Sequence, residues 1–464
     1  MKFEQLLGLG FFGLTVTAYL VLFYLGRKWR QEFEEESVGY WQAPKDERVR
    51  ELTDEVFRPR LVALFYGLAY FANGYMKITF SMWAPLYLIQ VRGVSTFDAA
   101  LFLGLVYVSW QWKMFIGMLS DGVPVSFRGS TYRRHPWFVA AGVLSIVATA
   151  GFVMSDPLSV PVWTGFFPLC LTMTLAGALF DVAADSFAVD VTPPEWHARV
   201  LGGVNTFGMS VGGIAASLLS PFMIPMGGYQ LVFISGGFVG LLAFPFLILK
   251  EPRFERERMF SREAIAFTFT ERSVLVASLL MVGSAIGTRR LSNPTGGMFS
   301  LVMDEIVGGF TPTTAGYIAV VTLLSGIPAS IVGGWAADRW GHRRVYMISG
   351  VAMMLSGYLW MTLRAGMTLW FVGLAIVSNF IERINAGGRM ALMGDATPLA
   401  LSATVFQMYM SFSWVGNIPA AIIVGYLLPR NIPLLFAVLS SFTLVPLFLV
   451  RYLTPYDAAK ATVV

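Results

Sequence analysis

The sequence is poor in the residues from which most catalytic and metal sites are built. It has one cysteine, Cys170, which excludes an intrachain disulfide and a multi-cysteine metal site. Its three histidines, His135, His197 and His342, are scattered, which argues against a histidine metal cluster. It contains no Ser–His–Asp arrangement, no zinc motif and no G-x-x-x-x-G-K-[ST] phosphate loop. We therefore expect neither an enzyme nor a protein that uses a cofactor or ATP.

Charged residues are also scarce. They make up 13% of the chain, against about 25% in an ordinary soluble protein. Hydrophobic residues make up 56%, and the mean hydropathy is +0.65. The net charge of +5 then indicates basic cytoplasmic loops rather than nucleic-acid binding. An N-x-S/T sequon with a permitted middle residue is absent, which favours a prokaryotic source. The composition predicts a multi-pass membrane protein.

Thirteen stretches are long and apolar enough to cross a bilayer, which takes about 20 residues. The first, residues 6–26, is too long for a signal peptide and its positive charges follow it, so we expect a retained anchor. Six spans are predicted in each of two halves, near 61–90, 97–119, 136–155, 160–186, 199–224 and 229–249, and near 273–302, 311–337, 345–363, 368–391, 401–428 and 432–453. The expected fold is all-α, with twelve core transmembrane helices plus one extra N-terminal transmembrane helix.

Lysine and arginine concentrate in one set of loops, 27–60, 120–135, 250–272 and 338–344. Because basic loops stay in the cytoplasm, the N-terminus is expected in the periplasm and the C-terminus in the cytoplasm. The predicted units are an extra helix 1–26, a charged linker 27–60, a half 61–249, an inter-half linker 250–272, a second half 273–453 and a tail 454–464. We expect a multi-pass protein of a bacterial inner membrane.

The two halves repeat each other. "DVTPPEWHARV" at 190–200 aligns without a gap on "DATPLALSATV" at 395–405, and "GMLSD" at 117–121 aligns on "GWAAD" at 334–338. Lys77 and Arg289 each lie sixteen residues after the predicted start of their half, at 61 and 273. A duplicated six-helix unit with a site between its halves, near the midplane, is the architecture of alternating-access transporters.

The segment "GGWAADRWGHRR", 333–344, resembles the loop signature of the major facilitator superfamily, and "GMLSDGVPVSFRGSTYRRHPW" is a stretched version in the first half. With "DVAADSFAVD", 181–190, it resembles the branch of muropeptide permeases, acetyl-CoA transporters, siderophore permeases and folate–biopterin carriers. The resemblance implies uptake, with muropeptides the leading substrate class. It also implies a conformational latch between the half-domains, for which the alternative is plain positive-inside topology. The residues in question are Gly117, Asp121, Arg133, Arg134, Gly334, Asp338, Arg343 and Arg344.

Three cations lie in the middle of predicted spans: Lys77, Arg289 and Arg290. A cation at the bilayer centre costs about 2.5 kcal/mol or more, so we expect these side chains to bind an anionic substrate. Asn73 and Lys113 are expected to contact it too, although Lys113 lies close enough to the span's end to reach the surface instead. The alternative is that the cations pair with buried acids and hold the halves together. A helix break is expected after Arg290, at Asn293, Pro294, Gly296 and Gly297.

Asp181 and Asp185 are four residues apart and share a helix face. Two carboxylates in low dielectric repel, which suits one of them to carrying a proton. Asp190 is expected past the end of that helix. The second half places Glu382, Arg383, Asn385 and Arg389 at the corresponding position. Proton coupling through Asp181, Asp185 or Glu382 is one interpretation, and a gate that pairs Asp185 with Arg383 or Arg389 is the other.

Two aromatic runs, "YVSWQWKMF" at 107–115 and "FQMYMSFSW" at 406–414, are candidate cavity walls. Together these features predict a secondary active transporter, proton-coupled and monomeric, for an anionic, amphiphilic organic solute. Muropeptides, siderophores, folates and CoA thioesters are the candidate classes. The alternative is a transporter-like membrane assembly factor without transport, to which the extra helix would dock a partner.

Overall fold

A computed structural model describes residues 3–32, 58–123, 125–127, 130–192, 198–251, 266, 269–397 and 402–453. Most of the two predicted linkers and the predicted tail lie outside these described residues, and so do Pro193 and Pro194. The boundaries predicted between the units therefore remain predictions.

The first part of the chain is helical over nearly all its described length. An N-terminal helix, α1, spans Phe3–Glu32. The helices that follow are α2 (Pro59–Ile78, continued by helical turns to Val91), α3 (Thr96–Val106), α4 (Val108–Gln111), α5 (Lys113–Gly122), α6 (His135–Met154), α7 (Phe167–Val191) and α8 (Asn205–Gly240, continued by a 3₁₀ segment, Leu241–Ile248). α8 bends sharply at Gly227 and Gly228, where the backbone leaves the helical region.

The second part repeats this order. Its helices are α9 (Arg272–Ile286), α10 (Arg289–Ser292), α11 (Phe299–Val307), α12 (Pro312–Trp340), α13 (His342–Leu359), α14 (Thr368–Asp395), α15 (Ser402–Val415), α16 (Asn417–Leu427), α17 (Ile432–Phe442) and α18 (Leu444–Leu449). Within the described residues, nine helical segments are long and apolar enough to cross a membrane. The helices fall in the predicted ranges, and the exact number of spans stays a prediction.

Two helix ends and one loop differ from prediction. α1 continues to Glu32 rather than ending at 26, because the polar residues that follow its apolar stretch are mostly good helix formers. α7 continues to Val191, so Asp190 lies in its last turn rather than past its end. The loop after α5 contains a short antiparallel hairpin that was not predicted, β1 (Val125–Phe127) with β2 (Ser130–Tyr132).

Local capping shows the internal repeat. Ser95 accepts a hydrogen bond from the backbone N–H of Asp98 and begins α3, while Thr311 accepts one from Thr314 and begins α12. A hydroxyl at this position satisfies one of the N–H groups that a helix start leaves unpaired. The second helix of each half therefore begins with the same kind of cap.

Glycines let α2 and α8 pack backbone to backbone. A Cβ at Gly74 would collide with the carbonyl of Met209, and one at Gly212 would collide with the carbonyl of Phe71. Small residues at such contacts let two helices approach closely. This contact fixes the rotation of α2, and therefore which of its side chains face the centre of the molecule.

The two halves contact each other at both ends. We call the end that carries the β1–β2 hairpin the hairpin end, and the end near Gln90 and Asp304 the opposite end. At the opposite end Gln90 donates to Asp304 over 2.9 Å. Toward the hairpin end, the backbone N–H of Met114 donates to Ser411 over 2.8 Å. In this conformation the halves are joined on both sides of the centre.

α1 packs across the seam between the halves. The Tyr19 hydroxyl donates to the Gln111 carbonyl, and Trp112 donates to Thr15 over 2.9 Å, both contacts to the first half. The Tyr19 ring also lies 5.0 Å from the ring of Phe412, on α15 of the second half. The extra helix therefore contacts the core of its own chain.

Candidate functional site

The first half buries an ion pair near the centre. Lys113 at the start of α5 bonds Asp181 of α7, and the two residues are only 1% and 2% exposed. The Asn73 amide donates to the other carboxylate oxygen of Asp181 over 2.7 Å. A buried carboxylate needs such partners to offset its lost hydration. Lys113 is thus buried and paired with an acid; it does not reach the surface.

Asp185, one turn further along α7, has only neutral partners among the described residues. Tyr66 and Tyr70 donate to one of its oxygens over 2.9 and 2.6 Å. Gln407 of the second half donates to the other oxygen over 3.2 Å. The predicted pairing of Asp185 with Arg383 or Arg389 is not seen. Asp185 instead connects the halves through an amide.

One face of α2 supplies most of these partners. Tyr66, Tyr70, Asn73 and Lys77 follow one another at intervals of four, three and four residues, which places them on one side of a helix. All four are buried. The glycine contact with α8 turns this face toward α7 and the centre.

Lys77 lies against tryptophan rather than a carboxylate. Its ammonium is 4.4 Å from the ring centroid of Trp110 and 5.7 Å from that of Trp414. On the other half, the Arg290 guanidinium lies 4.2 Å from the Trp414 ring. The two indole rings are 4.9 Å apart, and Tyr107 stacks on Trp414 at 4.7 Å. We call these five residues the tryptophan–cation stack; cations over aromatic faces gain about 0.5–2 kcal/mol each.

The predicted break in the seventh core span is confirmed, and it positions the arginines. α9 ends at Ile286, α10 holds Arg289 and Arg290, and α11 begins at Phe299. Gly297 adopts φ +106°, a conformation that favours glycine. The Asn293 side chain accepts the N–H of Thr295 over 2.9 Å, so the break has its own local hydrogen bond. The short α10 therefore presents two adjacent arginines at the centre.

Glu382 of α14 is surrounded by three arginines. Arg289 donates to it over 3.0 Å and Asn293 over 3.3 Å. The guanidinium nitrogens of Arg383 and Arg389 lie 3.5 and 3.6 Å from its oxygens. We call Arg289, Arg383, Arg389 and Glu382 the arginine cluster. The predicted helical spacing of Glu382, Asn385 and Arg389 is confirmed, because all three lie on α14.

The central charges do not balance. Among the described residues, six cations are grouped there with three carboxylates, an excess of three positive charges if all are ionised. The cations are Lys77, Lys113, Arg289, Arg290, Arg383 and Arg389, and the acids are Asp181, Asp185 and Glu382. The excess belongs to the second half, which holds four of the cations and a single acid. An arrangement of this kind attracts an anion.

In this structure, the described loops that carry the predicted latch residues form side-chain contacts within their own halves. Arg134 donates to Asp190 over 2.9 Å, and His342 contacts Asp395 at 2.7 Å. Asp190 and Asp395 are the aligned residues of the internal repeat, so each half ties the same loop to the end of its fourth core helix. The backbone N–H groups of Arg133 and Arg134 also donate to Glu251 over 2.7 and 2.9 Å.

The remaining latch candidates show no contact between the halves. Asp338 lies 4.0 Å from His342, and Arg343 and Arg344 are exposed. Gly117 and Gly334 are buried in α5 and α12. The side chain of Asp121 lies outside the described residues. A contact between the halves through these residues remains a prediction for another conformation.

Several central residues were not predicted from the sequence. Tyr66 and Tyr70 share the helix face of Lys77, and this spacing was available as a signal. Asn293 was recognised only as a helix breaker, although its amide also binds Glu382. Gln407 had no signal beyond being a polar residue inside an apolar run. The two aromatic runs were recognised, and Tyr107, Trp110 and Trp414 do meet between the halves.

Comparison with known proteins agrees with this architecture. A bacterial homologue of the iron transporter ferroportin, solved in an outward-facing state with soaked iron, superposes with a TM-score of 0.60. The match covers 87% of this chain and all of that chain at 13% identity, so it shows the fold alone.

Curated proteins give sequence matches. The putative transporter AmpG 4 of Rickettsia felis is 22% identical over 375 residues, which cover 75% of this chain and 84% of that protein. The cis,cis-muconate transport protein of Acinetobacter baylyi is 27% identical over 161 residues, 31% of this chain and 38% of that protein. A probable folate-biopterin transporter, number 6, of Arabidopsis thaliana is 27% identical over 125 residues, 27% of this chain and 23% of that protein.

The family model described as Major Facilitator Superfamily matches residues 6–208, 114–303 and 291–463, and so reaches almost from end to end of the chain. The repeated caps and loop ties show an internal duplication, and a broken helix near the centre is a feature of duplicated transporter folds. This multi-pass membrane protein therefore belongs to the major facilitator superfamily and is a transporter.

Proposed function

We propose that this transporter carries an anionic, amphiphilic organic solute into a bacterial cell, and that protons drive it. The observation that carries the proposal is the excess of three positive charges where the halves meet. Cations of both halves meet there, because Lys77 of the first half lies over the Trp110 ring and Arg290 of the second half lies over the Trp414 ring. A solute bound there would contact both halves, as alternating access requires.

We infer that the anion-binding residues are Lys77, Arg289 and Arg290. We leave Lys113 and Asn73 out of this set, because both bond Asp181. These two residues keep Asp181 in place. Candidate solutes are muropeptides, siderophores, folates and CoA thioesters, each with at least one acid group and an extended polar or ring-bearing body.

We assign proton coupling to Asp185. Asp181 is bonded to a lysine and Glu382 to an arginine, so both already have a cationic partner. Asp185 is buried, and its described partners are two hydroxyls and an amide. A buried carboxylate without a cation is costly, and a proton removes that cost. Because Gln407 belongs to the other half, protonation of Asp185 also weakens a contact between the halves.

The membrane orientation follows from the basic loops. We place the hairpin end of the bundle in the cytoplasm of a bacterial inner membrane, with the N-terminus in the periplasm. The arginines of the loops after α5 and α12 lie at this end. On this placement the cell interior is reached through the side where Asp185 and Gln407 meet.

The aromatic packing favours a second candidate function. Trp110, Trp414 and Tyr107 stack directly between the halves, and a transporter-like assembly factor would keep such a plug permanently. A flux measurement separates the two, because only a transporter moves solute across a sealed vesicle.

The test begins with a thermal-shift screen of the purified protein against the four solute classes, each with a neutral analogue. A ligand at a hundred times its dissociation constant adds roughly 2.7 kcal/mol to stability. A shift with one anionic class, lost in Lys77→Ala or Arg289→Ala, is the expected result. The binding solute is then followed into proteoliposomes with and without a proton gradient.

Asp185→Asn is expected to abolish gradient-driven accumulation while leaving solute exchange intact, since exchange needs no net proton movement. Glu305→Gln, on the described surface of α11, serves as the matched control and is expected to accumulate solute normally. Accumulation that persists in Asp185→Asn would overturn the assignment of proton coupling. Binding without flux in any condition would favour the assembly factor.

A further inference from the structure

The arginine cluster has more donors than its own acid can satisfy. A guanidinium carries five N–H groups, so three of them present fifteen to one carboxylate. Arg289 Nη1, Arg383 Nε and Arg389 Nε have no hydrogen-bond acceptor among the described residues. Arg383 and Arg389 are 4% and 2% exposed, so these charges are buried as well as incompletely paired.

Buried polar groups are nearly always hydrogen-bonded, and buried charges need a partner of opposite sign. Glu382 accepts a hydrogen bond from Arg289 over 3.0 Å. The guanidinium nitrogens of Arg383 and Arg389 lie 3.5 and 3.6 Å from its oxygens, without hydrogen-bond geometry. A second carboxylate or phosphate oxygen would match the forked N–H groups that remain. The Arg289 side chain, 24% exposed, marks the accessible side of the cluster.

The tryptophan–cation stack is a second place for an acid group. Among the described residues, no carboxylate lies within ion-pair distance of Lys77 or Arg290. Arg290 donates to the carbonyls of Ser413 and Gly296, and its Nε has no acceptor there. In the described part of the chain, the Lys77 ammonium lies over the faces of Trp110 and Trp414.

The two proposed positions for an acid group include residues that are neighbours in the sequence. Arg289 belongs to the arginine cluster and Arg290 to the tryptophan–cation stack, and adjacent Cα atoms are about 3.8 Å apart. One small solute can therefore reach both. The aromatic surface beside Arg290 is the Trp414 ring, on which a conjugated or aromatic segment packs better than a saturated chain.

We propose that the transported solute is a dianion, with one acid group in the arginine cluster, the other at Lys77 and Arg290, and a flat unsaturated segment between them against Trp414. Glu382 occupies part of the first subsite and competes with the solute's acid group. This inference rests on the proposed function, since it names the chemical class that the same central site accepts.

The test measures binding of four probes to the purified full-length protein by calorimetry at constant ionic strength. Terephthalate has two acid groups and a flat ring, benzoate has one acid group, benzamide has none, and adipate has two acid groups on a flexible chain. We expect terephthalate to bind about tenfold to a hundredfold more tightly than benzoate, the value of one charge-assisted hydrogen-bonded contact. Adipate is expected to bind more weakly than terephthalate, and benzamide not at all.

Two substitutions locate the subsites. Arg389→Gln is expected to remove most of the preference for terephthalate over benzoate, because the first acid group loses its partner. Glu382→Gln keeps the shape of the side chain but removes the competing charge, so it is expected to tighten terephthalate binding by about tenfold. Arg430→Gln, near the surface and outside the central site, is the matched control and should leave all four affinities unchanged.

The wild-type probe series tests the inference even if a variant fails to fold. Equal affinity for terephthalate and benzoate would overturn it, and so would weaker terephthalate binding in a folded Glu382→Gln protein. Transport of benzoate-like monoanions at the same rate as dianions would sink this inference but leave the proposed function standing. If no probe binds and no organic anion crosses the vesicle membrane, both fail.

Discussion

Lys113 and Asp181 show how a buried charge is retained at the residue scale. Each is nearly inaccessible, and each is the other's counter-ion. Removing one partner leaves an uncompensated buried charge, while replacing both by neutral groups can be nearly neutral in stability. The pair therefore contributes to stability mainly because the loss of either partner would leave the other charge buried and unpaired.

A double-mutant cycle tests this pair. Lys113→Met and Asp181→Asn are each expected to lower the free energy of unfolding by about 3–5 kcal/mol, with the double variant close to wild type. Chemical unfolding in detergent provides the measurement. If the two single losses simply add in the double variant, the side chains do not act as a pair.

Residue partnerships are also where sequence reasoning reached its limit. The spacing of Asp181 and Asp185 predicted one helix face, which is correct. It did not predict that one acid would bind a lysine and the other two tyrosines and a glutamine. Tyr66 is 119 residues from Asp185 and Gln407 is 222 residues away. Contacts of this kind depend on how each helix is rotated in the bundle, and the glycines of α2 and α8 fix that rotation only for the two helices they join.

At the scale of elements, most of the fold was predictable. Apolar runs of about 20 residues set the helices, and the broken seventh core span followed from Asn293, Pro294, Gly296 and Gly297. The extension of α1 to Glu32 was not predicted, because hydropathy identifies the apolar stretch that crosses the lipid and not the residue at which the helix ends. Nor did hydropathy predict that α1 would contact both halves.

The docking of α1 makes a testable prediction at Tyr19, which is 4% exposed. Tyr19→Ala removes ring contacts with Phe115 and Phe412 and is expected to cost about 3–5 kcal/mol, as other buried aromatic deletions do. Tyr19→Phe loses only the hydroxyl bond to Gln111 and is expected to cost about 0.5–1.5 kcal/mol. Thermal unfolding in detergent measures both.

Tyr24 supplies the control on the same helix, because its side chain is 70% exposed. Tyr24→Ala is expected to change the free energy of unfolding by no more than about 0.5 kcal/mol. Equal effects of Tyr19→Ala and Tyr24→Ala would mean that α1 does not pack on the core in the membrane protein.

At the scale of the whole molecule, the halves meet on both sides of the central charges. Gln90 contacts Asp304 at the opposite end, while Met114 contacts Ser411 toward the hairpin end. A transporter that alternates its access must break one set of contacts at a time. On the alternating-access mechanism proposed above, contacts at both ends correspond to a closed intermediate between two open states.

Cross-linking tests this movement. Cysteines at Gln90 and Asp304, in a Cys170→Ser background, are to be joined by a short cleavable thiol reagent. Flux into proteoliposomes is expected to stop on cross-linking and to recover when the link is cleaved, because the opposite end can no longer open. The single-cysteine proteins treated with the same reagent control for labelling itself. Full flux in the cross-linked protein would show that this end does not open during transport.

The seam position of α1 has a consequence for biosynthesis. α1 leaves the ribosome before the core helices, yet one of its ring contacts, Phe412, is encoded roughly 400 residues later. At about 5–20 residues per second, the helix waits some 20–80 s before that surface exists. During that interval the apolar and aromatic face around Tyr19 and Phe23 must be covered by lipid or by the insertion machinery. The extra helix is therefore made well before its contact surface on the second half and is among the last helices to find its place.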